Sequence, residues 1–352
     1  MKPMFLISCP IDTYSGYGAR SRDLVKAVIE LKNDEYDIKV LPQRWGSCPW
    51  GFIKDHKEEW GFLTPYLLPA GNAIPKKPEV WVQVSVPNEF QPVGKYNIGF
   101  TAGIETTICA PHWIEGLNRM DLNIVSSNHA KTVFENSTFQ KQDSNTRQVI
   151  GEIKLSKPVE VLFEGADLTK YFPSKKKSSI DLSEVKESFA YLFVGHWMQG
   201  DLGEDRKNVG LLVKTFFETF KNKKNPPALI LKCSGAGSSY MDREEMLKRI
   251  KLTESTVQAD TLPNVYLLHG EFTNQEVNDL YNHKKVKAMV SLTKGEGFGR
   301  PLLEFSLTKK PIIATNWSGQ TDFLDPKFTT LINGEVKPIH HSAVIKDMLP
   351  RS

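Results

Sequence analysis

The sequence predicts an α/β protein of two domains, each built on a mostly parallel β-sheet. Three observations lead to this prediction. The chain has 352 residues, a length that favours two domains over one. Short apolar runs alternate with amphipathic stretches over nearly the whole length. The runs are rich in β-branched and aromatic residues, as the buried strands of a parallel sheet are.

The predicted first domain comprises residues 1–174. Its first strand, Met4–Cys9, leads through a glycine loop into a helix in which apolar residues recur at helical spacing from Leu24 to Leu31. Further strands are predicted at Ile38–Leu41, Val80–Val84, Asn97–Phe100, Leu122–Ser126 and Val159–Phe163. The region 44–78 is rich in Trp, Pro and Gly, and its pattern assigns no element.

The predicted second domain comprises residues 175–352 and follows the Lys/Ser-rich stretch Pro173–Ser179, which is typical of a linker. Its strands are predicted at Phe189–Val194, Ala228–Lys232, Val265–Leu268, Val286–Ser291 and Ile312–Thr315. Helices are predicted at 208–221, 241–250, 274–281 and 301–307. Open α/β sheets bind ligands beyond the carboxyl ends of their strands, so we expect the site in a cleft between the domains.

Composition excludes several classes of protein. The chain is 40% hydrophobic and 24% charged, which excludes a disordered or fibrous protein. A net charge of +4 suits a phosphate-bearing small ligand and falls short of a nucleic-acid footprint. The four cysteines show no metal-binding spacing, so we expect reduced thiols in a cytoplasmic protein, with a disulfide as the alternative, and no metal site. The apolar N-terminal run is too short for a signal peptide or a membrane span.

The segment after the strand Val286–Ser291 carries the most chemical information. Gly295, Gly297 and Gly299 allow the backbone to approach a ligand closely. Pro301 suits a first helical turn, and the N–H groups of such a turn suit a phosphate. Glu296 in the loop and Glu304 in the first turn are expected to accept hydrogen bonds from sugar and ribose hydroxyls. The same residues also fit a flexible loop followed by a carboxylate that favours a helix start.

The wider pattern resembles the family 4 retaining glycosyltransferases of the GT-B fold. Glu296 and Glu304 stand eight positions apart within Glu-Gly-Phe-Gly-x-Pro-x-x-Glu, which resembles the signature of that family. Four further blocks follow the order of the family: Ser15–Gly18, Pro111–Asn128, Phe163–Pro173 and Pro311–Phe323. The resemblance implies two Rossmann-like domains that face each other across a cleft.

The resemblance also implies roles for individual residues. Glu304 would bind the ribose hydroxyls of a nucleotide-sugar donor, and Glu296 would hold hydroxyls of the donor sugar. The backbone of Gly297, Phe298 and Gly299 would lie against the sugar and the diphosphate. Gly16 would bring the first domain's loop to the diphosphate. Lys207, before the first helix of the second domain, matches the phosphate-binding lysine of the family.

The chain departs from the family after Gly195, where His196 stands in place of the usual arginine. Arg206 and Arg300 are the two candidates to supply the missing guanidinium. Glu105 falls where related enzymes carry a His or Glu near the reacting sugar, and it is the expected polar group at the reaction centre. His112 is the alternative to Glu105 in the first domain, and His269 is a further candidate for the nucleotide pocket.

The implied activity is retaining transfer of a sugar from a UDP- or GDP-sugar to an acceptor hydroxyl. No cofactor is required, and a divalent ion on the donor phosphates remains compatible with the sequence. The acceptor (glycan, lipid, protein or modified base) and the oligomeric state stay open. A hydrolase or epimerase of the same fold and a non-catalytic nucleotide-sugar-binding protein are the alternatives. In the family a long closing helix follows the equivalent of Gly334, and the remaining residues 335–352 are short for it.

Overall fold

The computed structural model describes residues 2–69, 74–143, 145–176, 178–235, 237 and 239–344. The chain divides into two compact units, the first up to Glu164 and the second from Gly165 on. The end of the chain after Val344, where the closing helix was considered, lies outside the described residues. Among the described residues, no helix is long and apolar enough to cross a membrane.

The first unit alternates strands and helices as predicted. Its strands are β1 Met4–Cys9, β2 Asp37–Pro42, β3 Val80–Val84, β4 Tyr96–Thr101, β5 Leu122–Val125, β6 Phe139–Gln142, β7 Val149–Ile153 and β8 Val159–Val161. Its helices are α1 Gly16–Lys32, α2 Phe52–Asp55, α3 Lys57–Trp60, α4 Pro111–Asn118 and α5 Asn128–Asn136. Within the described residues, six strands form a parallel sheet in the order β2-β1-β3-β4-β5-β8, and β6 pairs with β7 in an antiparallel hairpin.

The second unit repeats this plan. Its strands are β9 Ala190–His196, β10 Ala228–Ser234, β11 Val265–Leu268, β12 Val286–Ser291, β13 Ile312–Thr315 and β14 Thr330–Ile332. Its helices are α6 Val209–Phe220, α7 Tyr240–Ser255, α8 Asn274–Asn282 and α9 Arg300–Ser306. The described strands form a parallel sheet in the order β11-β10-β9-β12-β13-β14. The α/β prediction of mostly parallel sheets is therefore confirmed.

Burial explains the central position of β9. Ala190, Leu192 and Phe193 are buried, so both faces of this strand are covered and a continuous apolar run is stable there. Helix α6 covers one face with Val209, Leu212, Val213, Phe216 and Phe217, which recur at helical spacing. The sheet and its helices thereby hold the loops at the carboxyl ends of the strands in place.

The region 44–78, which the sequence left unassigned, contains α2, α3 and the 3₁₀ segment Gly61–Tyr66. Trp45 stacks on Tyr17, with ring centroids 3.9 Å apart and planes inclined by 22°. Short turns with Pro and Gly carry no periodic signal, which is why the sequence did not predict them.

The stretch expected to be a linker packs on α8. The backbone N–H of Phe172, just before this stretch, donates to Asn278 at 3.3 Å, and that of Ser174 within it donates to Asn282 at 2.8 Å. These asparagine side chains thus satisfy backbone groups that an extended segment would leave to water. The domain boundary at 174/175 stays a prediction.

All four cysteines are free thiols. Cys9, Cys109 and Cys233 are buried, and Cys48 is half-buried. Burial raises the pKa of Cys9 and Cys233 to about 12 and that of Cys109 to about 11. The buried thiols therefore stay protonated at neutral pH and behave as small apolar side chains.

Candidate functional site

The candidate site lies at the carboxyl ends of β9 and β12. The chain leaves β9 through loop 197–208 into α6, and it leaves β12 through loop 292–299 into α9. β9 is followed in the chain by its neighbour β10, while β12 borders it on the other side. The two loops therefore leave the sheet at a topological switch point, where open α/β sheets usually bind ligands.

Lys207 and Glu296, which were expected to bind the donor separately, form an ion pair with each other. Lys207 Nζ donates to both carboxylate oxygens of Glu296, and each side chain is only 12% exposed. Burial alone would raise the pKa of Glu296, but the charges of Lys207 and Arg206 hold it below its usual value. Glu296 is therefore ionised at neutral pH, and the pair connects the two loops.

Arg206 lies next to this pair and is also held by loop 292–299. Its Nη1 donates to the carbonyl of Gly295 at 3.4 Å. Its own carbonyl accepts from the backbone N–H of Lys294 at 3.0 Å. These contacts keep the Arg206 guanidinium close enough to Glu296 to lower the pKa of that carboxyl.

His196 occupies the last position of β9 and contacts β10 through Ser234, whose Oγ lies 3.2 Å from Nδ1. Burial lowers the pKa of His196, and the positive charges of Lys207, Arg206 and Lys232 lower it further. The imidazole is therefore neutral at pH 7, and three cations lie within electrostatic range of it.

Lys232 was not identified by the sequence analysis. It lies in β10, where its Nζ donates to the carbonyl of Gly270 at 2.7 Å and lies 4.6 Å from the ring centroid of Phe272. Burial lowers the pKa of Lys232, and among the described residues no carboxylate forms a salt bridge with it. Its place near the carboxyl end of a buried strand was the signal in the sequence, because charged residues seldom occupy such positions.

Glycine at position 319 permits a close approach between the backbone after β13 and loop 292–299. A Cβ added at Gly319 would lie 2.3 Å from the carbonyl oxygen of Gly297. The backbone N–H of Glu296 donates to Ser318 Oγ at 2.8 Å. Gly299 has a φ of +99°, a conformation that favours glycine, and it directly precedes α9. The loop is therefore an ordered turn.

Phe298 and Arg300 both have partners within the second unit. Phe298 is 5% exposed and packs on Phe323, with ring centroids 5.0 Å apart. Arg300 Nε donates to Glu304 Oε1 at 3.0 Å. Glu304 is buried one turn into α9, beyond the first turn where we expected it. Burial, together with the charge of Glu304, keeps the pKa of Tyr281 well above its usual value.

His269, the candidate for the nucleotide pocket, is held by α7. Its Nε2 lies 2.7 Å from Asp242 Oδ2. The same carboxylate accepts from the backbone N–H of Gly235 at 3.0 Å. Asp242 therefore orients His269 and fixes the turn that follows β10.

In the first unit, α1 begins at Gly16 and is capped by Ser15, whose Oγ accepts from the backbone N–H of Gly18 at 2.9 Å. A Cβ at Gly18 would lie 2.4 Å from the carbonyl oxygen of Thr13, so internal packing requires glycine there. A Cβ at Gly16 would meet no atom of the described residues within 4 Å. Packing thus gives no reason for glycine at position 16.

Tyr17 connects the start of α1 to the segment after β4. Its hydroxyl lies 3.1 Å from Thr101 Oγ1 and accepts from the backbone N–H of Ala102 at 2.9 Å. Burial raises the pKa of Tyr17 to about 12, and the charge of Glu105 adds to the increase. Glu105 therefore lies within electrostatic range of the first turn of α1.

The predicted site residues of the second unit other than His269 lie in loops 197–208 and 292–299 and in α9. Gly16 and Glu105 lie near each other in the first unit. His112 lies in α4. The roles given to these residues remain predictions.

No protein-family model matches the chain, and no curated protein sequence matches it. Solved structures do. A glycosyltransferase from Rickettsia africae superposes with a TM-score of 0.60 at 13% identity, over 94% of this chain and 84% of that one. Sucrose-phosphate synthase from Thermosynechococcus elongatus gives 0.58 at 13% identity, over 95% and 86%. Anabaena HepE, solved with UDP and glucose, gives 0.56 at 12% identity, over 95% and 86%. At these identities the likeness shows the fold, which is that of GT-B glycosyltransferases.

Proposed function

We propose that the protein is a retaining glycosyltransferase, similar to family 4, that transfers a sugar from a nucleotide-diphosphate sugar to an acceptor hydroxyl. One observation carries the proposal. Lys207 and Glu296 meet at the switch point of the second sheet, with Glu304 one turn into the following helix. A cation for the leaving phosphate and two carboxylates for hydroxyl groups are the groups that this reaction needs.

The cations are the groups that would stabilise the departing diphosphate. Lys207, Arg206 and Lys232 all lower the pKa of His196, which means that their fields overlap there. Positive charges that are already in place cost no reorganisation when negative charge develops on the leaving group. Gly16, at the start of α1, is proposed to bring its loop to the same phosphates.

The carboxylates are proposed to position the sugar and the nucleoside. Glu296 would accept from hydroxyls of the donor sugar, and Glu304 from those of the ribose. Glu105 is proposed to be the polar group at the reaction centre, where the acceptor hydroxyl attacks as the diphosphate leaves on the same face. The backbone of Gly297, Phe298 and Gly299 would lie against the donor.

Arg206 is the better candidate for the guanidinium that His196 does not supply. Arg300 already donates to the buried carboxylate of Glu304. Arg206 donates to the backbone carbonyl of Gly295 at 3.4 Å, and its charge reaches both Glu296 and His196. A UDP-sugar is the first donor to test, because the HepE structure of the same fold holds UDP and glucose. A GDP-sugar is the second.

The cytoplasm is proposed as the location, because all four thiols are free.

The non-catalytic alternative is supported by the pairing of Lys207 with Glu296, because the lysine that would bind the phosphate already has an anionic partner.

The test is a calorimetric and thermal-shift panel of nucleotides and nucleotide sugars, with and without Mg²⁺. A ligand at one hundred times its Kd should stabilise the fold by about 2.7 kcal/mol. Incubation of the tightest donor with candidate acceptors, followed by product analysis, then separates the classes. A glycosylated acceptor supports transfer, free sugar indicates a hydrolase, and an isomerised donor indicates an epimerase.

A matched pair of variants locates the binding. Arg206→Gln should weaken nucleoside diphosphate affinity by about tenfold or more, whereas Lys294→Gln in the neighbouring loop should not. Binding of no nucleotide at millimolar concentration would overturn the proposal.

A further inference from the structure

A second cluster of ligating side chains lies outside the groups assigned to the donor. Among the described residues, one set of three metal-ligating side chains has its ligand atoms all within 4.8 Å of one another: Asp201, His340 and His341. Asp201 lies in loop 197–208, and the two histidines lie where the described chain approaches its end. His340 Nδ1 lies 4.0 Å from Asp201 Oδ2.

Hydrogen bonds already join the two segments. The backbone N–H of Asp201 donates to Ser342 Oγ at 3.0 Å, and Ser342 Oγ lies 2.8 Å from His340 Nδ1. The backbone N–H of Ser342 donates to the same nitrogen at 3.3 Å. A histidine binds a metal ion through a ring nitrogen that carries no proton.

The donor set selects a class of metal. Two imidazoles and one carboxylate suit Zn²⁺ and similar first-row ions, whereas Mg²⁺ and Ca²⁺ prefer oxygen ligands. Zinc bonds of about 2.0–2.1 Å place tetrahedral ligands about 3.4 Å apart. The ligand atoms, which lie within 4.8 Å of one another, must therefore move closer by about an ångström to bind zinc. The side chain of Asp201 is 69% exposed and that of His340 is 35% exposed, which leaves them room to rotate.

We propose that Asp201, His340 and His341 form a Zn²⁺-class binding site that fastens the segment 340–344 to loop 197–208. Three protein ligands leave a fourth position for water. Arg206 and Lys207 lie near the end of the same loop, so an ion bound at Asp201 holds the part of the loop that precedes these two cations. The proposal rests on this cluster alone and is independent of the donor assignment.

The thiols are the main competing ligands for zinc. Cys9, Cys109 and Cys233 are buried, and burial raises the pKa of each thiol, so they stay protonated. Cys48 is half-buried and its pKa is also raised by burial. Replacement of Cys48 by serine removes the one thiol that partial exposure leaves within reach of an ion.

The experiment uses tag-free, full-length Cys48→Ser protein, freed of metal with EDTA and titrated with ZnSO₄ by calorimetry. We expect one equivalent to bind, and Asp201→Asn and His341→Ala each to weaken that binding at least tenfold. His283→Ala, which removes a half-buried histidine elsewhere in the second unit, should leave the affinity unchanged. Melting temperatures of the parent, Asp201→Asn and His341→Ala in EDTA should match, because the side chains of Asp201 and His341 are exposed.

Two results would overturn the proposal. One is the absence of stoichiometric Zn²⁺ binding by the parent protein. The other is equal Zn²⁺ affinity in the parent, Asp201→Asn and His341→Ala. Nucleotide binding is measured separately, so failure here leaves the glycosyltransferase proposal untouched.

Discussion

Replacement of Lys207 by methionine tests the buried ion pair as a structural element. The change leaves the Glu296 carboxylate 12% exposed, with the Arg206 guanidinium as its remaining nearby charge. Removal of one partner of a buried pair costs about 3–5 kcal/mol, because the other charge stays desolvated. We take the lower end of this range, because the Arg206 guanidinium remains near the carboxylate. Lys207→Met should therefore lower the free energy of unfolding by about 3 kcal/mol, or the melting temperature by about 6–12 °C.

A second ion pair provides the control. Lys294 and Glu204 lie 2.8 Å apart but are 41% and 37% exposed. Such surface pairs contribute about 0–1 kcal/mol, so Lys294→Met should change stability by less than about 1 kcal/mol. The double variant Lys207→Met/Glu296→Gln removes both buried charges. It should recover most of the stability that Lys207→Met loses.

The assay is chemical denaturation of the full chain, with hydrogen exchange of β9 and β12 peptides to assign the change to the second unit. The pH dependence of stability tests the sign of the contribution of Glu296. The pKa of Glu296 is lowered in the folded state, so its contribution is present above the unfolded value and is lost as pH falls through the folded pKa. The deficit of Lys207→Met should therefore shrink as the pH falls below about 4.5. Equal stability of Lys207→Met and Lys294→Met at pH 7 would refute the reasoning.

Three further predictions follow from single positions. Gly18→Ala should lower the free energy of unfolding of the first unit by about 2 kcal/mol, because the added Cβ would lie 2.4 Å from the carbonyl oxygen of Thr13. Gly16→Ala should leave the melting temperature unchanged, because a Cβ there meets no described atom within 4 Å, and it should weaken donor binding. Glu304→Gln should weaken nucleotide affinity by about tenfold in calorimetry, because a charged acceptor is lost. The pKa of His196 is lowered by burial and by neighbouring cations, so the folded state binds fewer protons than the unfolded state just below pH 6.5. Stability should rise with pH in that window, and His196→Asn should flatten the rise in denaturation curves.

A specific result would contradict each of these three predictions. Equal melting of Gly16→Ala and Gly18→Ala would show that the close approach at Gly18 is relieved by a shift of the backbone. Unchanged nucleotide affinity in Glu304→Gln would remove this carboxylate from the donor site. An unaltered pH slope in His196→Asn would mean that another group titrates in the window, and His283, whose pKa is also lowered by burial, is the first to test.

The strands of the two parallel sheets were largely predictable, because a strand buried on both faces is a continuous apolar run. β12 and β13 match their predicted bounds, and β9 differs by a residue or two at each end. The hairpin β6–β7 was missed because nearly all of its residues are exposed and its sequence does not alternate. Short elements without a buried face leave little trace in a sequence.

The sequence predicted which residues belong to the candidate site better than it predicted which of them contact one another. Loop 292–299 carries its own glycines and carboxylate, which a local pattern identifies. The pairing of Lys207 with Glu296 spans 89 positions and depends on two loops that leave neighbouring strands. Lys232 was overlooked because one lysine within an apolar run does not change the strand prediction. Only the fold brings its charge beside His196.

The distribution of thiols makes this protein easy to label. Three cysteines are buried and protonated, so a maleimide dye at neutral pH should react with Cys48 in preference to the others. Cys48 donates its backbone N–H to the carbonyl of Trp45, and Trp45 stacks on Tyr17 in the first turn of α1. A dye at this one position therefore sits close to an indole that quenches many fluorophores. The native sequence thus supplies a single-site optical reporter on the loop that faces the start of α1.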